Sequence, residues 1–222
     1  MKKWTAVDRA LTPDGKTISL EEHDGSYFIR VDGAPLMSTR QHASEERIAE
    51  LACEHLKGKR NTRVLIGGLG FGFTLKATLA ALPADATVVV AEILAAVIDW
   101  NRNPAYPLAA HALADPRVSV VHRDVAEAMR AEHGGFDSII LDVDNGPAAF
   151  TTGGNDRLYD ATGLRLTRST LRPGGCVAYW SAAPDAAFKT LLAQAGFTVE
   201  VHRSRARGNA GARHTLFLGR VQ

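Results

Sequence analysis

The spacing of apolar residues along the chain changes near residue 40. Before this point, four short segments favour β-strands and are separated by turn sequences rich in Asp and Gly. They cover residues 4–10, 17–22, 27–31 and 35–37. After this point, a segment over 41–56 carries apolar residues at helical spacing and leads through a polar linker to Arg63. The pattern predicts two domains, an antiparallel β-hairpin appendage over 1–40 and an α/β domain over 41–222.

From Arg63 onward, short apolar runs alternate with helical segments. Seven strands are predicted, over 64–66, 87–93, 117–121, 136–143, 176–181, 197–203 and 215–218. The helices between them are predicted over 75–82, 125–132, 156–171 and 187–194. One further helix follows the strand over 87–93 and is predicted to end at 101. This alternation is typical of a doubly wound, mostly parallel, Rossmann-like sheet, whose ligands bind at the carboxyl ends of the strands. The last two strands are predicted to close the sheet as an antiparallel pair.

A glycine-rich turn follows the first strand of this sheet. Glycines at a turn from strand to helix let backbone N–H groups approach a ligand closely. Glu92 ends the second strand, where a carboxylate can accept hydrogen bonds from both hydroxyls of a ribose. The two features together predict a nucleoside cofactor site formed by Gly67, Gly68, Gly70, Gly72 and Glu92. The Gly-x-Gly-x-Gly spacing from Gly68 differs from the Gly-x-Gly-x-x-Gly of dinucleotide-binding turns, which disfavours an oxidoreductase.

Acidic side chains also follow the third and fourth strands of the predicted sheet. Asp124 can accept a hydrogen bond from an adenine amino group while Val125 offers its backbone N–H, although Asp is equally a common helix N-cap. Asp142 and Asp144 stand where two carboxylates can hold a cationic amine or accept its proton. Asp144 and Asn145 can alternatively start a turn before a Gly-Pro pair. Asp142 is the preferred catalytic candidate, because its strand should direct it into the cleft.

Four further residues are candidates for contact with a substrate. Tyr159 can cover the mouth of the cleft, although a helical Tyr more often packs in a core. Trp180 can line a substrate pocket at the end of the fifth strand or be structural. Gln41 and His42 join the two predicted domains and can face the cleft, although an isolated His of this kind is typical of a surface. The basic segment 202–214 is more typical of a solvated hairpin than of a site for an anionic substrate.

The composition of the chain mainly argues against certain classes of partner and cofactor. The 222 residues carry a formal net charge of +2, which gives no general attraction to nucleic acid or to membrane surfaces. No run approaches the ~20 apolar residues of a membrane span, and no signal peptide is visible after the first residues. The histidines lack a metal-binding spacing, and Cys53 and Cys176 lie in apolar surroundings, as small buried hydrophobes do. These features predict a cytoplasmic protein with no metal, nucleic-acid or membrane partner.

The motifs resemble the spermidine synthase family of aminopropyltransferases, which has the class I S-adenosylmethionine-dependent transferase fold. Segment 64–72 is similar to the family's Gly-Gly-Gly-Asp-Gly-Gly cofactor loop. Segment 115–124 is similar to its Asp-Pro-Arg-Val stretch, which ends in an adenine-contacting Asp, and 136–142 to the strand that bears the catalytic Asp. Glu92 falls on the ribose-binding acid. The resemblance implies an N-terminal β-hairpin domain, a small amine substrate, a homodimer, and S-adenosylmethionine or decarboxylated S-adenosylmethionine as the cofactor.

Five positions depart from the pattern of this family. Gly70 stands where the loop has an Asp near the amino end of the decarboxylated cofactor, so ordinary S-adenosylmethionine becomes more acceptable. Asn145 replaces a second Asp that holds the polyamine, and Trp180 replaces a Gln. Ser44 and Glu45 stand where a Tyr-Gln pair is expected. The nucleoside half of the site therefore matches the family, while the amine half is altered.

The sequence supports three hypotheses of function. The first is transfer of an aminopropyl group to a polyamine-like acceptor, with 5′-methylthioadenosine as the second product. The runner-up is methyl transfer from S-adenosylmethionine to another small molecule, which would yield S-adenosylhomocysteine. The third is a nucleoside-binding protein without catalysis. In the first two, the glycine turn, Glu92, Asp124 and Val125 bind the cofactor, and Asp142 and Asp144 bind and deprotonate an amine. The substrate would also contact Gln41, His42, Asn145, Tyr159 and Trp180.

Overall fold

A computed structural model describes residues 3–131, 135–143, 156–208 and 210–222 of the chain, and within these residues the strands form two sheets. The first sheet is antiparallel and has four strands in chain order. These are Thr5–Leu11 (β1), Thr17–His23 (β2), Ser26–Val31 (β3) and Ala34–Ser38 (β4). The turns between them contain the Asp-Gly sequences that marked them in the chain, as expected for tight hairpins.

The second sheet has seven strands and contains most of the remaining β-structure. The strands are Arg63–Gly67 (β5), Thr87–Glu92 (β6), Val118–His122 (β7), Phe136–Leu141 (β8), Leu171–Ser181 (β9), Thr198–Arg207 (β10) and Ala210–Arg220 (β11). Their spatial order is β10-β11-β9-β8-β5-β6-β7. The strands from β9 to β7 pair in parallel, whereas β10 and β11 are antiparallel. The predicted doubly wound, mostly parallel seven-stranded sheet is therefore confirmed.

Eight α-helices connect the strands within the described ranges. They are Ala43–Cys53 (α1), Phe73–Ala81 (α2), Ala95–Arg102 (α3), Ala110–Leu113 (α4), Val125–Arg130 (α5), Asp156–Tyr159 (α6), Ala161–Thr170 (α7) and Ala186–Gln194 (α8). A 3-10 turn, Glu54–Leu56, continues α1. Helices on both faces of a sheet explain why its central strands are apolar on both sides, which is typical of parallel strands.

Successive residues of the central strands enter two different cores. On β5, Val64 and Ile66 pack against one face of the sheet, with α1, α2 and α3, while Leu65 packs against the other face, with α5, α7 and α8. On β9, Trp180 faces the first core and Tyr179 the second. This alternation follows from the pleat of a β-strand, which directs neighbouring side chains to opposite faces.

The N-terminal sheet packs against the first of these cores. Its residues Ile18 and Ile29 are buried and belong to the same apolar cluster as the helices on that face. The indole Nε1 of Trp100, on α3, donates a hydrogen bond to Asp8 of β1 at 2.7 Å. The four-stranded sheet therefore lies beside the helices that begin at the carboxyl edge of the large sheet, and it can contribute side chains to a site there.

Several elements differ from their predicted extents, among them β11, which begins at Ala210 rather than at 215. The helix predicted over 156–171 is two helices, because Asp160 caps the second one by accepting hydrogen bonds from Thr162 and Gly163 at 2.7 and 2.8 Å. Strand β9 begins five residues before its predicted start at 176, with a register shift against β8. The one-turn helix α4 had no amphipathic signal, since it is too short for helical periodicity to show.

Candidate active site

The strand order of the large sheet reverses between β5 and β8. From β5 the chain proceeds outward through β6 to β7, then returns to place β8 on the other side of β5. Crevices form at the carboxyl ends of strands where such a reversal occurs. The crevice here lies beyond Gly67 and Leu141, and it is walled on its outer side by residues of the N-terminal sheet. We call it the nucleoside crevice.

The nucleoside crevice is lined by residues from both sheets. The large sheet and its following turns contribute Gly68, Gly70, Ala91, Glu92, Ile93, Leu94, Val97, Arg123, Asp124, Val125, Asp142 and Val143. The N-terminal sheet contributes Ile18, Ile29, Leu36 and Met37. Six of the predicted site residues therefore meet in one crevice, although they come from four separate positions in the chain. The arrangement follows from parallel strands, whose carboxyl ends reach the same edge of a sheet.

Three glycines of the turn have positive φ, and two of them, Gly68 and Gly70, line the nucleoside crevice. Gly68 has φ +89°, and a β-carbon there would collide with the backbone carbonyl oxygen of Asp142. Gly70 has φ +50°, and a β-carbon there would lie 2.9 Å from the terminal methyl carbon of Met37. A left-handed backbone and close neighbours together explain why glycine stands at both positions. The turn therefore brings the ends of β5, β8 and β4 close together.

Gly67 and Gly72, predicted to bind the cofactor, have packing neighbours in the structure. A β-carbon on Gly67 would lie 2.8 Å from Cγ2 of Val125, and one on Gly72 would lie 2.5 Å from Cβ of Ala109. The absence of a side chain at these positions lets α5 and α4 approach the turn closely. Neither glycine lines the nucleoside crevice, and their predicted contact with a cofactor stays a prediction.

Glu92 is buried, and its carboxylate accepts hydrogen bonds from two backbone segments of the nucleoside crevice. One of its carboxylate oxygens accepts a hydrogen bond from the backbone N–H of Leu69 at 2.8 Å, and the other accepts from Leu94 at 2.8 Å. The first bond ties the glycine turn to the end of β6, and the second orients the start of α3. A carboxylate oxygen has more than one lone-pair direction, so these bonds leave acceptor capacity for a ligand.

Asn101 supports the same turn from the opposite side. Its side chain is 1% exposed, and its amide nitrogen donates to the carbonyl oxygen of Gly70 at 2.7 Å and to that of Val97 at 2.8 Å. A buried amide that donates twice to backbone oxygens fixes the turn in one conformation. Asn101 was not among the predicted site residues, because an Asn in the last turn of a helix carries no local signal of such a role.

Asp124 is the helix N-cap that the sequence offered as one of its two roles, and it also lines the nucleoside crevice. Its Oδ1 accepts hydrogen bonds from the backbone N–H groups of Ala126 and Glu127 at 2.9 and 3.2 Å, so Asp124 is the N-cap of α5. Its Oδ2 lies 3.0 Å from a guanidinium nitrogen of Arg157. Asp124 also lines the crevice, next to Val125. Val125 is the first residue of the helix, where a backbone N–H has no acceptor within the helix.

A second pocket opens on the other side of Asp142, and we call it the acceptor pocket. Its polar lining consists of Ser38, Gln41, Glu45, Asp142, Trp180 and His214. Its apolar lining consists of Phe28, Pro35, Leu36 and Met37. Asp142, Leu36 and Met37 line both this pocket and the nucleoside crevice. A molecule in one pocket and a molecule in the other would therefore meet at a single carboxylate.

The carboxylate of Asp142 is held by α2. Its Oδ2 accepts a hydrogen bond from the hydroxyl of Thr74 at 2.5 Å, and its backbone N–H donates to the carbonyl oxygen of Gly67 at 3.0 Å. Thr74 lies in the first turn of α2 and is 3% exposed. A short hydrogen bond to a carboxylate is charge-assisted and restricts its rotation. The side chain of Asp142 is thus fixed at the junction of the two pockets.

Glu45 gives the acceptor pocket a second acidic group. Burial and the negative charge of Asp142 raise the pKa of Glu45 to about 7, while a hydrogen bond from Ser44 opposes that rise. Like charges in a poorly solvated site disfavour double ionisation. The pocket therefore holds a proton, or attracts a cation, near neutral pH. Two carboxylates with apolar walls are suited to an ammonium group on a short carbon chain.

Trp180 and His214 form the far wall of the acceptor pocket. Their ring centroids are 4.5 Å apart and tilted by 56°. The indole Nε1 of Trp180 is buried and has no hydrogen-bond partner among the residues for which the structure gives positions. His214 lies on β11, within the basic segment that the sequence had suggested is a solvated hairpin. The strand alternation turns this one side chain inward while its arginine neighbours stay largely exposed.

The remaining predicted substrate residues lie in three different places. Gln41 lines the acceptor pocket, whereas His42 does not. His42 stacks on Phe73 at 4.2 Å and lies 2.9 Å from a carboxylate oxygen of Glu46. Tyr159 is 6% exposed and packs in the second core, with its hydroxyl 3.4 Å from the carbonyl oxygen of Val143.

Two predicted site residues, Asp144 and Asn145, lie outside the described residues. Within the described ranges, no group of three or more His, Cys, Asp or Glu side chains is placed to hold a metal ion. Among the helices that the structure describes, none combines the length and apolar character needed to cross a bilayer. The free cysteines Cys53 and Cys176 are both buried, as predicted.

Sequence comparison relates the chain to two kinds of polyamine enzyme. It is 30% identical over 172 residues to the polyamine aminopropyltransferase of Leptospira biflexa, an alignment that covers 77% of this chain. It is 35% identical over 118 residues, or 52% of this chain, to putrescine N-methyltransferase 3 of Nicotiana tabacum. The chain spans 51% of the length of the first protein and 29% of the second. No family model matches the chain.

Structural comparison covers nearly the whole chain. The spermidine synthase of Thermotoga maritima superimposes with a TM-score of 0.78 at 18% identity, over 98% of this chain and 73% of that one. A spermidine synthase solved in complex with the transition state analogue AdoDATO gives 0.76 at 17% identity, over 98% and 72% of the two chains. The fold is therefore that of the spermidine synthases, as the resemblance implied.

Proposed function

We propose that the chain is a transferase that moves an aminopropyl group from a sulfonium nucleoside to a small amine. The observation that carries this proposal is the position of Asp142, which lines the nucleoside crevice and the acceptor pocket together. Bond formation between two bound molecules requires that their reacting atoms be held in contact, and a shared wall residue is where that contact occurs. The similarity to a polyamine aminopropyltransferase supports the same reaction class.

The residues of the crevice fit a nucleoside. Glu92 offers carboxylate oxygens at the end of β6, where ribose hydroxyls can donate to them. Asp124 can accept from an adenine amino group, and Val125 can offer its backbone N–H to a ring nitrogen. Leu94 and Val97 supply apolar walls for the base. The donor nucleoside supplies a carbon that is electrophilic because it is bound to a positively charged sulfur.

Asp142 then has two tasks at the junction of the pockets. As a carboxylate it attracts the ammonium form of an amine, and it can take up a proton so that the nitrogen lone pair becomes available. Thr74 keeps its carboxylate oriented while this happens. Leu36 and Met37, from the N-terminal sheet, cover both pockets and limit the access of water to the junction. Asp144 and Asn145, which follow Asp142 in the chain, stay predictions as partners of this carboxylate.

The form of the donor depends on the space next to Gly70. This position has no acidic side chain, and Met37 lies against it through a thioether and a methyl group. An apolar neighbour neither repels the carboxylate of S-adenosylmethionine nor attracts the amine of its decarboxylated form. Methyl transfer from S-adenosylmethionine is therefore the second candidate function, and the similarity to putrescine N-methyltransferases favours it for the same acceptor class.

Product analysis separates the two reactions and tests both against a protein without catalysis. The chain is incubated with 1,4-diaminobutane and either S-adenosylmethionine or the decarboxylated form, and the amine is analysed by mass spectrometry. Gain of an aminopropyl group with the decarboxylated donor supports the proposal. Gain of a methyl group supports the second candidate. Binding of 5′-methylthioadenosine without any product from a panel of amines would show that the crevice binds a nucleoside and the chain catalyses no transfer.

Two variants make this experiment specific. Asp142→Asn should abolish product formation while 5′-methylthioadenosine still binds, because Asp142 is one of many residues that line the crevice. Asp99→Asn, on the exposed face of α3, is the matched control and should leave both measurements unchanged. Unimpaired turnover in Asp142→Asn would contradict the assignment. The division at residue 40, the homodimer and the cytoplasmic location stay predictions from the sequence.

A further inference from the structure

The acceptor pocket contains a chain of hydrogen bonds that leads from an acid to a histidine. The hydroxyl of Ser44 lies 2.5 Å from Oε2 of Glu45 and 2.8 Å from Nδ1 of His214. Ser44 is fully buried, so these two contacts account for its hydroxyl as both donor and acceptor. Residues 44 and 214 are 170 positions apart, and they meet because α1 packs against the strands at that end of the sheet.

The two ends of this chain both face the pocket. Glu45 and His214 line it together with Asp142, which is the residue shared with the nucleoside crevice. A hydroxyl between a carboxyl group and an imidazole can transmit a proton in either direction, because it donates to one neighbour while it accepts from the other. When Glu45 is ionised, Ser44 donates to it and His214 donates from Nδ1. When Glu45 is protonated, both directions can reverse.

We propose that Glu45 is a second substrate-binding acid of the acceptor pocket, and that Ser44 and His214 carry its proton between the pocket and solvent. This inference rests on the proposed function, since the bound cation is taken to be the amine acceptor. Glu45 would contact the ammonium group together with Asp142. Ser44 and His214 would act through Glu45, as positioning and relay residues. The pair Ser44-Glu45 would then perform a task that the related enzymes give to other side chains.

The charges around Glu45 agree with this role. Asp142 at the end of β8 and Glu46 on the same helix both raise the pKa of Glu45, after burial, which has the largest effect. On α2, burial lowers the pKa of Lys76, and the negative charge of Glu46 opposes that change. Burial likewise lowers the pKa of His214 and so favours its neutral form, in which a ring nitrogen can accept a proton. Strand β10, which also packs on α1, carries Glu200, His202 and three arginines.

The proton steps balance without any further reactant. When a cation binds next to Glu45, it favours the ionised form of this acid. The proton that Glu45 held before the amine bound therefore leaves by way of Ser44 and His214. When an ammonium gives a proton to Glu45 rather than to Asp142, its N–H bond breaks, the electron pair stays on nitrogen, and an O–H bond forms on Glu45. Glu45 then passes that proton to the oxygen of Ser44 as the hydroxyl proton of Ser44 moves to Nδ1 of His214. Ser44 ends unchanged, and the imidazolium releases the proton.

Proton release on amine binding tests this inference without any need for catalysis. The full chain, saturated with 5′-methylthioadenosine, is titrated with 1,4-diaminobutane by calorimetry in buffers that differ in ionisation enthalpy. Because the pKa of Glu45 is about 7, wild type should release about half a proton per diamine at pH 7 and less at pH 8.5. Glu45→Gln should bind the diamine at least about tenfold more weakly and release no proton.

Two further variants show whether the hydrogen-bond chain matters. Ser44→Ala should still release a proton, but at higher pH, because Ser44 donates a hydrogen bond that favours the ionised form of Glu45. Glu50→Gln is the matched control, since Glu50 is an exposed acid of the same helix and pairs with Arg47. It should leave both the affinity and the proton release at their wild-type values.

The possible results separate this inference from the proposed function. Diamine binding with equal proton release in wild type and Glu45→Gln would overturn the role of Glu45 and leave the acceptor pocket intact. If Ser44→Ala released the same number of protons as wild type, with the same midpoint pH, the proton relay through Ser44 would be refuted. Failure of the wild-type chain to bind the diamine, while it binds 5′-methylthioadenosine, would overturn the acceptor assignment and this inference with it. Circular dichroism of each variant confirms that the fold is retained.

Discussion

Substitution of Glu92 by Gln should destabilise the protein even when no nucleoside is present. In the structure, each carboxylate oxygen of Glu92 accepts one backbone N–H, from Leu69 and from Leu94, at 2.8 Å. Gln offers one oxygen and one NH₂ group, so one of these N–H groups would face a donor instead of an acceptor. The side chain is 7% exposed, and water cannot readily replace the lost acceptor.

The expected magnitude follows from this geometry. A hydrogen bond to a charged group contributes about 1.5–3 kcal/mol, and a buried donor left without a partner costs about 1–3 kcal/mol. Gln also avoids the cost of burying a charge, which offsets part of the loss. We therefore expect the free energy of unfolding to fall by about 2–4 kcal/mol, which in a chain of this size lowers the melting temperature by roughly 5–15 °C.

Denaturant unfolding followed by circular dichroism measures this difference. The experiment is done without ligand, so that loss of nucleoside binding cannot contribute to the result. Asp99→Asn on the exposed face of α3 is the control and should change the stability by less than about 0.5 kcal/mol. If Glu92→Gln unfolds at the same denaturant concentration as wild type, the carboxylate does not hold the glycine turn. A loss seen only with 5′-methylthioadenosine would assign Glu92 to the ligand alone.

Four other substitutions test separate parts of the site. Thr74→Val removes the hydroxyl that orients Asp142 and should lower kcat/KM by about 10–100-fold with nucleoside affinity unchanged; an unchanged rate would show that this hydrogen bond is dispensable. Gly68→Ala forces a side chain into a left-handed backbone against the carbonyl of Asp142 and should cost at least about 2 kcal/mol of stability, measured by urea unfolding. Gly70→Asp should weaken binding of S-adenosylmethionine about tenfold relative to its decarboxylated form in calorimetry, because a carboxylate would face a carboxylate. Glu45→Gln should be about 1–3 kcal/mol more stable than wild type at pH 8 and equally stable at pH 4. The reason is that the pKa of Glu45 rises on folding from 4.5 to about 7, so wild type loses stability as the pH rises between these values. Parallel curves of stability against pH for the two proteins over that range would refute the burial of this acid.

The sequence alone determined the large sheet and one half of the candidate site. Apolar runs that alternate with helical segments require a parallel sheet covered on both faces, and the carboxyl ends of such strands converge on one edge. For this reason Gly68, Glu92, Asp124 and Asp142 could be placed together from their positions at strand ends. Each of these predictions needed only the element that the residue follows, and not the element that lies opposite.

Only the tertiary structure decided the other half of the site. Ser44 lies in the first turn of α1 and is buried there, where it contacts His214, 170 positions away on β11. Met37 covers Gly70 because the N-terminal sheet packs over the large one, and no local pattern in β4 indicates that contact. Periodicity shows which face of an element is buried, because burial has a regular spacing along the chain. It does not identify the buried partner, since packing joins distant segments by shape and volume.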